Sequence, residues 1–124
     1  MQNLNEPNVN VEEQRRFKRI DFNLPLQYKN LRKGGELPAG SLTRNLSEGG
    51  VCFRSNEFIS LACRLVVEIN LPTNPKPIKA ITKVAWIRKV PSGNQYELGN
   101  QFLDMGREDK DRIVDFVKNS LDAV

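Results

Sequence analysis

From Ile20 onward the chain alternates with period two. Ile20, Phe22, Leu24, Leu26 and Tyr28 fall on one phase, and Asp21, Asn23, Pro25, Gln27 and Lys29 on the other. Successive side chains of a strand point to opposite faces, so the pattern predicts one half-buried β-strand. Pro25, on the outward phase, has no N–H for a ladder and predicts an edge or a bulge. Continued backwards, the inward phase would bury Lys18 and Arg16. Unpaired charges are very costly in a core, so the regular strand ends near Arg19 and the residues before it form a loop.

Further along, Lys33-Gly34-Gly35 predicts a turn, Ala39 to Arg44 a second strand, Asn45 to Gly50 a loop of turn-forming residues, and Val51 to Ser55 a third strand. Leu65, Val67, Ile69 and Leu71 mark a fourth. Three prolines between Pro72 and Pro77 break the chain. Ile78 to Val90 and Tyr96 to Leu103 then predict a hairpin around Pro91-Ser92-Gly93-Asn94. Only the C-terminus changes period: Ile113, Phe116, Val117 and Leu121 fall at i, i+3, i+4 and i+8, predicting an amphipathic helix over about 107–121. The fold class is therefore mainly β, a six-stranded antiparallel β-barrel with one C-terminal α-helix.

A chain of 124 residues supports one hydrophobic core. The expected organisation is a barrel domain over 14–124 behind a tail over 1–13, with no separate output domain. The tail holds four Asn, one Pro and few apolar residues, too little to offset the entropy of ordering, so it is expected to be flexible. No apolar run approaches the roughly 20 residues of a membrane span, and the polar N-terminus lacks the apolar core of a signal peptide. A cytoplasmic protein without membrane insertion is expected. Cys52 and Cys63 form no C-x-x-C pair and lie in apolar strand segments, where a thiol usually serves as a small buried hydrophobe. Two cysteines and no histidine cannot build a usual zinc shell, so no metal site is expected. The missing histidine and the lack of paired carboxylates remove the usual acid–base groups. No catalytic residue is assigned, and binding is favoured over catalysis.

Charge narrows the binding partner. The formal net charge is +4, but residues 1–13 carry three Glu and no Lys or Arg, and then Arg15, Arg16, Lys18 and Arg19 follow within five residues. Alone, such a run reads as a solvated basic stretch or as an anion site. Asn45, Ser47 and Gly50, taken alone, are ordinary turn residues.

Together the two segments are informative. Arg15-Arg16-Phe17-Lys18-Arg19, followed after one strand pair by Asn45-Leu46-Ser47-Glu48-Gly49-Gly50, resembles the PilZ family, whose signature is R-x-x-x-R and then D/N-x-S-x-x-G. The resemblance extends over the strand pattern, Ala85-Trp86-Ile87-Arg88, Tyr96-Glu97-Leu98-Gly99 and the closing helix. It implies a receptor for cyclic di-GMP as ligand, with no other cofactor, in which Arg15 and Arg19, and next to them Arg16, grip the nucleotide from the N-terminal loop. Lys18 is a bystander. Asn45 is implied as a partner for a guanine edge and Ser47 as a donor to a ligand oxygen, while Gly50 allows positive φ or close approach of ligand to backbone.

The chemistry agrees with that implication. A guanidinium pairs bidentately with phosphate or with guanine O6 and N7, and its flat face stacks on a purine. Charged hydrogen bonds net about 1.5–3 kcal/mol each, whereas fixing a loop costs about 1–2 kcal/mol per residue. Micromolar binding needs about 8 kcal/mol, so the barrel face has to contribute as well. Trp86 and Arg88 are secondary contacts: a strand tryptophan more often serves the core, but beside an arginine it can also stack on guanine. Phe17 packs the loop root or stacks on a base. Ligand binding is expected to draw the arginine loop onto the barrel and change a surface read by an effector protein, in a monomer or weak dimer. Two other functions compete with this one. One is a PilZ-fold adaptor without nucleotide, disfavoured by the intact motifs. The other is a barrel for single-stranded nucleic acid, disfavoured because most of the nine aromatics fall on inward phases.

Overall fold

The computed structural model describes residues 19–32 and 37–122. The alternating segments form seven strands: β1 (Arg19–Ile20), β2 (Pro25–Asn30), β3 (Ala39–Ser47), β4 (Gly50–Ser55), β5 (Arg64–Ile69), β6 (Ile78–Lys89) and β7 (Tyr96–Met105). Among the described residues one helix follows, α1 (Arg107–Asp122). All pairings are antiparallel, and the order β3-β2-β5-β6-β7-β4 returns on itself through β3–β4 pairing. This is the predicted six-stranded barrel; the short β1 is an addition, laid on β3 beside β2. The tail over 1–13, Arg15 to Lys18 and the Lys33-Gly34-Gly35 turn lie outside the described residues.

Where one strand was predicted from Ile20 to Tyr28 there are two, because the chain leaves the sheet between Ile20 and Pro25. Thr43 fills the break. Fully buried, it accepts from the Leu24 N–H at 2.8 Å, donates to the Phe22 carbonyl, and sends its own N–H to the Leu24 carbonyl at 2.9 Å. Every backbone group so freed needs a buried partner, and a threonine hydroxyl supplies both donor and acceptor. The excursion turns Phe22, predicted to face inward, half out to solvent, where it meets Phe116 edge-on with ring centroids 5.6 Å apart. Pro25 begins β2, a position where its missing N–H costs no ladder bond.

Leu46, Phe53, Leu65, Val67, Ile69, Ile78 and Leu98 fill the barrel. Ile113, Phe116 and Val117 of α1 pack onto the same core. Leu121, the last position of the predicted stripe, is exposed. Near the start of the helix Asp109 accepts the Lys79 N–H at 3.2 Å and, with Glu108, pairs with Arg112 at 2.9 and 3.2 Å. Acidic groups are favoured at this end of a helix dipole. Among the described residues no helix is long and apolar enough to cross a membrane.

Candidate functional site

The second motif does not form the predicted loop. β3 runs on through Asn45 to Ser47, and only Glu48 and Gly49 separate it from β4. Its side chains are aimed by a bulge between Thr43 and Asn45. Thr43 and Leu46 are both fully buried, so the extra residue leaves Arg44 and Asn45 facing outward together. A second bulge, between Val84 and Trp86 of β6, acts in the same way. The inward phase Ile78, Ala80, Thr82, Val84 would have carried Trp86 into the core. Instead Ala85 and Trp86 both face outward and Ile87 resumes contact with the core. Trp86 is 44% exposed, which corrects the commoner expectation of a core tryptophan.

Cross-strand register then sets one outward row of Asn45, Cys52, Gly99 and Trp86 across β3, β4, β7 and β6. Beside it Arg19 stands opposite Ser47, and Gly50 opposite Gln101. Together they line an open cleft of about 600 Å³. Of the residues singled out by sequence, the structure gathers Arg19, Asn45, Ser47, Gly50 and Trp86 in this cleft. Arg88 lies two residues beyond Trp86, outside the lining, and donates to Glu97. Arg15 and Arg16 lie outside the described residues.

Two glycines shape the floor. A Cβ on Gly99 would stand 2.0 Å from Nε1 and 2.1 Å from Cε2 of Trp86, so the indole lies directly against the bare backbone. A Cβ on Gly50 would stand 2.1 Å from the Asn100 carbonyl oxygen. Gly50 is therefore required by the close approach of its own β7 neighbour, and its φ is not positive. Asn100 is itself fixed: its Oδ1 accepts from Thr82 Oγ1 at 3.0 Å and its Nδ2 donates to the Leu98 carbonyl at 3.3 Å. Ser47 Oγ accepts from the N–H groups of Gly49 and Gly50 at 3.1 and 3.2 Å, closing the hairpin turn. Among the described residues its own proton finds only the Gly50 carbonyl at 3.5 Å, a weak contact.

Cys52 is buried, as expected for a small hydrophobe, although it lines the cleft. Burial, reinforced by Glu97, pushes its thiol up to about 11, while Arg44, Arg19 and Arg88 pull the other way. The thiol therefore stays protonated and gives the cleft a neutral patch of floor. Glu97 is buried on the same outer face, with Arg88 Nη2 on its Oε1 and the Nε atoms of Arg44 and Arg54 at 3.6 and 3.7 Å from its Oε2. Sequence reasoning missed Arg44, Cys52, Arg54, Glu97, Gly99 and Gln101. A glycine inside a strand pattern signals close approach, which made Gly99 findable; the others depend on which strands become neighbours.

A sequence model described as the PilZ domain matches residues 13–119. No curated protein matches the sequence at a significant level. Among solved structures the chain is similar to Inhibitor of motility (MotI/DgrA) of Bacillus subtilis, with a TM-score of 0.73 at 19% identity, over 90% of this chain and 53% of that one. It is similar to the PilZ domain with c-di-GMP of YcgR from Escherichia coli, with 0.67 at 17%, over 89% and 94%. It is also similar to MrkH of K. pneumonia in its apo state, with 0.69 at 17%, over 89% and 52%. These likenesses establish the fold. The chain spans about half the length of MotI/DgrA and of MrkH, and nearly all of the YcgR domain.

Proposed function

The chain belongs to the PilZ domain family, and from that premise we propose that it is a cytoplasmic receptor for cyclic di-GMP, a binding protein and not an enzyme. One observation carries the reading: β1 pairs with β3 so that Arg19, the last residue of R-x-x-x-R, stands directly opposite Ser47 of N-x-S-x-x-G. Two motifs 28 positions apart in sequence, each explicable alone, meet in one cleft with Asn45 and Trp86. The chemistry of that cleft suits the ligand. A guanidinium meets phosphate or a guanine edge, an amide and a hydroxyl offer directional hydrogen bonds, and a half-exposed indole offers a face for stacking. The YcgR domain of the same fold was solved with c-di-GMP.

In this reading Arg15 and Arg16 join Arg19 when the chain ahead of β1 closes over the nucleotide, and the closed form presents an altered surface to an effector protein. Calorimetric titration of cyclic di-GMP into the protein and into Arg19→Ala, at two salt concentrations, tests it. Saturable binding is expected, weakened by about tenfold or more in the variant, the loss of one charge-assisted hydrogen bond. GMP and a short single-stranded RNA serve as controls. No heat with the dinucleotide sinks the reading, leaving a protein adaptor if RNA is also silent and a nucleic-acid binder if it is not.

A further inference from the structure

Glu97 stands opposite Arg54 on β4 and opposite Arg88 on β6. The β3 bulge turns Arg44 outward toward the same place. The carboxylate side chain is 8% exposed, while those of Arg44, Arg54 and Arg88 are 47%, 35% and 66% exposed. Three cations thus share one buried anion, and only Arg88 is hydrogen-bonded to it. Arg54 Nε is buried with no hydrogen-bond partner among the described residues. Stability does not account for this grouping. Partly exposed ion pairs contribute little, and a buried pair is commonly no better than apolar packing. Among the described residues three guanidinium groups lie within ion-pair distance of this one carboxylate.

We propose that Arg44 and Arg54 are further anion-binding residues of the nucleotide cleft, and that Glu97 is the positioning residue that gathers them with Arg88 into one cationic edge for a dinucleotide phosphate. The proposal rests on the receptor reading. Two placements support it. The edge lies along the row adjacent to Asn45, Cys52, Gly99 and Trp86, so it flanks the cleft. Arg44 and Arg54 lie outside the lining of the Trp86 cleft and line a neighbouring polar cleft of about 460 Å³ with Ser41, Asn56, Glu57 and Gln95, so they are reachable from outside the barrel. Cyclic di-GMP carries two phosphates. Arg19 at one border of the cleft and this edge at the other give each phosphate a guanidinium, and Glu97 fixes the forks before the ligand arrives, which lowers the ordering cost of binding.

The test is titration of cyclic di-GMP into Arg44→Gln, Glu97→Gln and, as a charge control on β6 away from the cleft, Lys79→Gln, with a melting curve for each. Arg44→Gln is expected to weaken binding about tenfold, as for one charged hydrogen bond, with an unchanged melting curve. Glu97→Gln removes a negative charge yet is expected to weaken binding too, because the arginines are no longer gathered. Lys79→Gln is expected to bind like the parent. Binding within twofold of the parent for Arg44→Gln, or a matching loss for Lys79→Gln, overturns the cationic edge. Tighter binding by Glu97→Gln overturns its positioning role, since the carboxylate would then only repel the ligand. Should Glu97→Gln fail to fold, the exposed Arg44 decides alone. A parent that binds no dinucleotide ends both readings, whereas a parent that binds and an inert Arg44 end only this one.

Discussion

The indole of Trp86 and the bare backbone of Gly99 are complementary surfaces, and the two cleft glycines make different demands. An added methyl at Gly99 collides with the Trp86 ring 2.0 Å away, and a side chain can swing aside. An added methyl at Gly50 collides with a backbone carbonyl in a paired strand, which cannot. Gly99→Ala should therefore cost about 1–3 kcal/mol, the range for overpacking, and shift the emission of this single tryptophan as the ring leaves the sheet. Gly50→Ala should cost more and leave that emission closer to the parent. Urea unfolding followed by fluorescence measures both, and equal losses would remove the distinction. At this scale the sequence was legible in kind but not in cause. Gly50 reads as a special glycine from its motif, yet the atom that demands it belongs to Asn100, and nothing in the local pattern says that β7 will lie beside β4.

Strands and helix were legible because periods of 2 and 3.6 mark which face is buried, and burial drives the elements that form here. Departures from regularity were not. A bulge adds one residue and reverses the phase, so Trp86 counted from Ile78 falls inside while the folded chain turns it out. Thr43 looks like any strand threonine, although its hydroxyl is what lets Ile20 to Tyr28 break into two strands. The helix shows the reverse limit: its stripe is correct, but period alone cannot say where the barrel beneath it ends. Phe116 is buried against the core and against Phe22, so Phe116→Ala should cost about 3–5 kcal/mol, the range for truncating a buried aromatic. Leu121 continues the same stripe yet is exposed, so Leu121→Ala should stay within about 0.5 kcal/mol of the parent. Denaturant midpoints of the two variants check both values, and a Leu121 loss approaching that of Phe116 would mean that the helix is covered over its whole length.

A closed barrel limits how binding can change the molecule. Each of the six barrel strands is paired on both sides, so a rearrangement of the sheet would strand buried backbone groups, each costing about 1–3 kcal/mol. A ligand-dependent change of surface is better sought where the chain enters the barrel, at β1, two residues long and, among the described residues, paired only to β3. Arg15, Arg16, Lys18 and Arg19 are also trypsin sites, so the proposed closure has a direct readout. With saturating cyclic di-GMP, cleavage after these residues should slow by about tenfold or more, the direction expected when a ligand selects a closed form. GMP should not protect, and Arg19→Ala should lose the protection at the remaining sites. Protection that tracks calorimetric occupancy would tie closure to binding. Undiminished cleavage with normal binding heat would mean that the barrel face alone holds the nucleotide, and the surface read by an effector would then have to be the ligand itself.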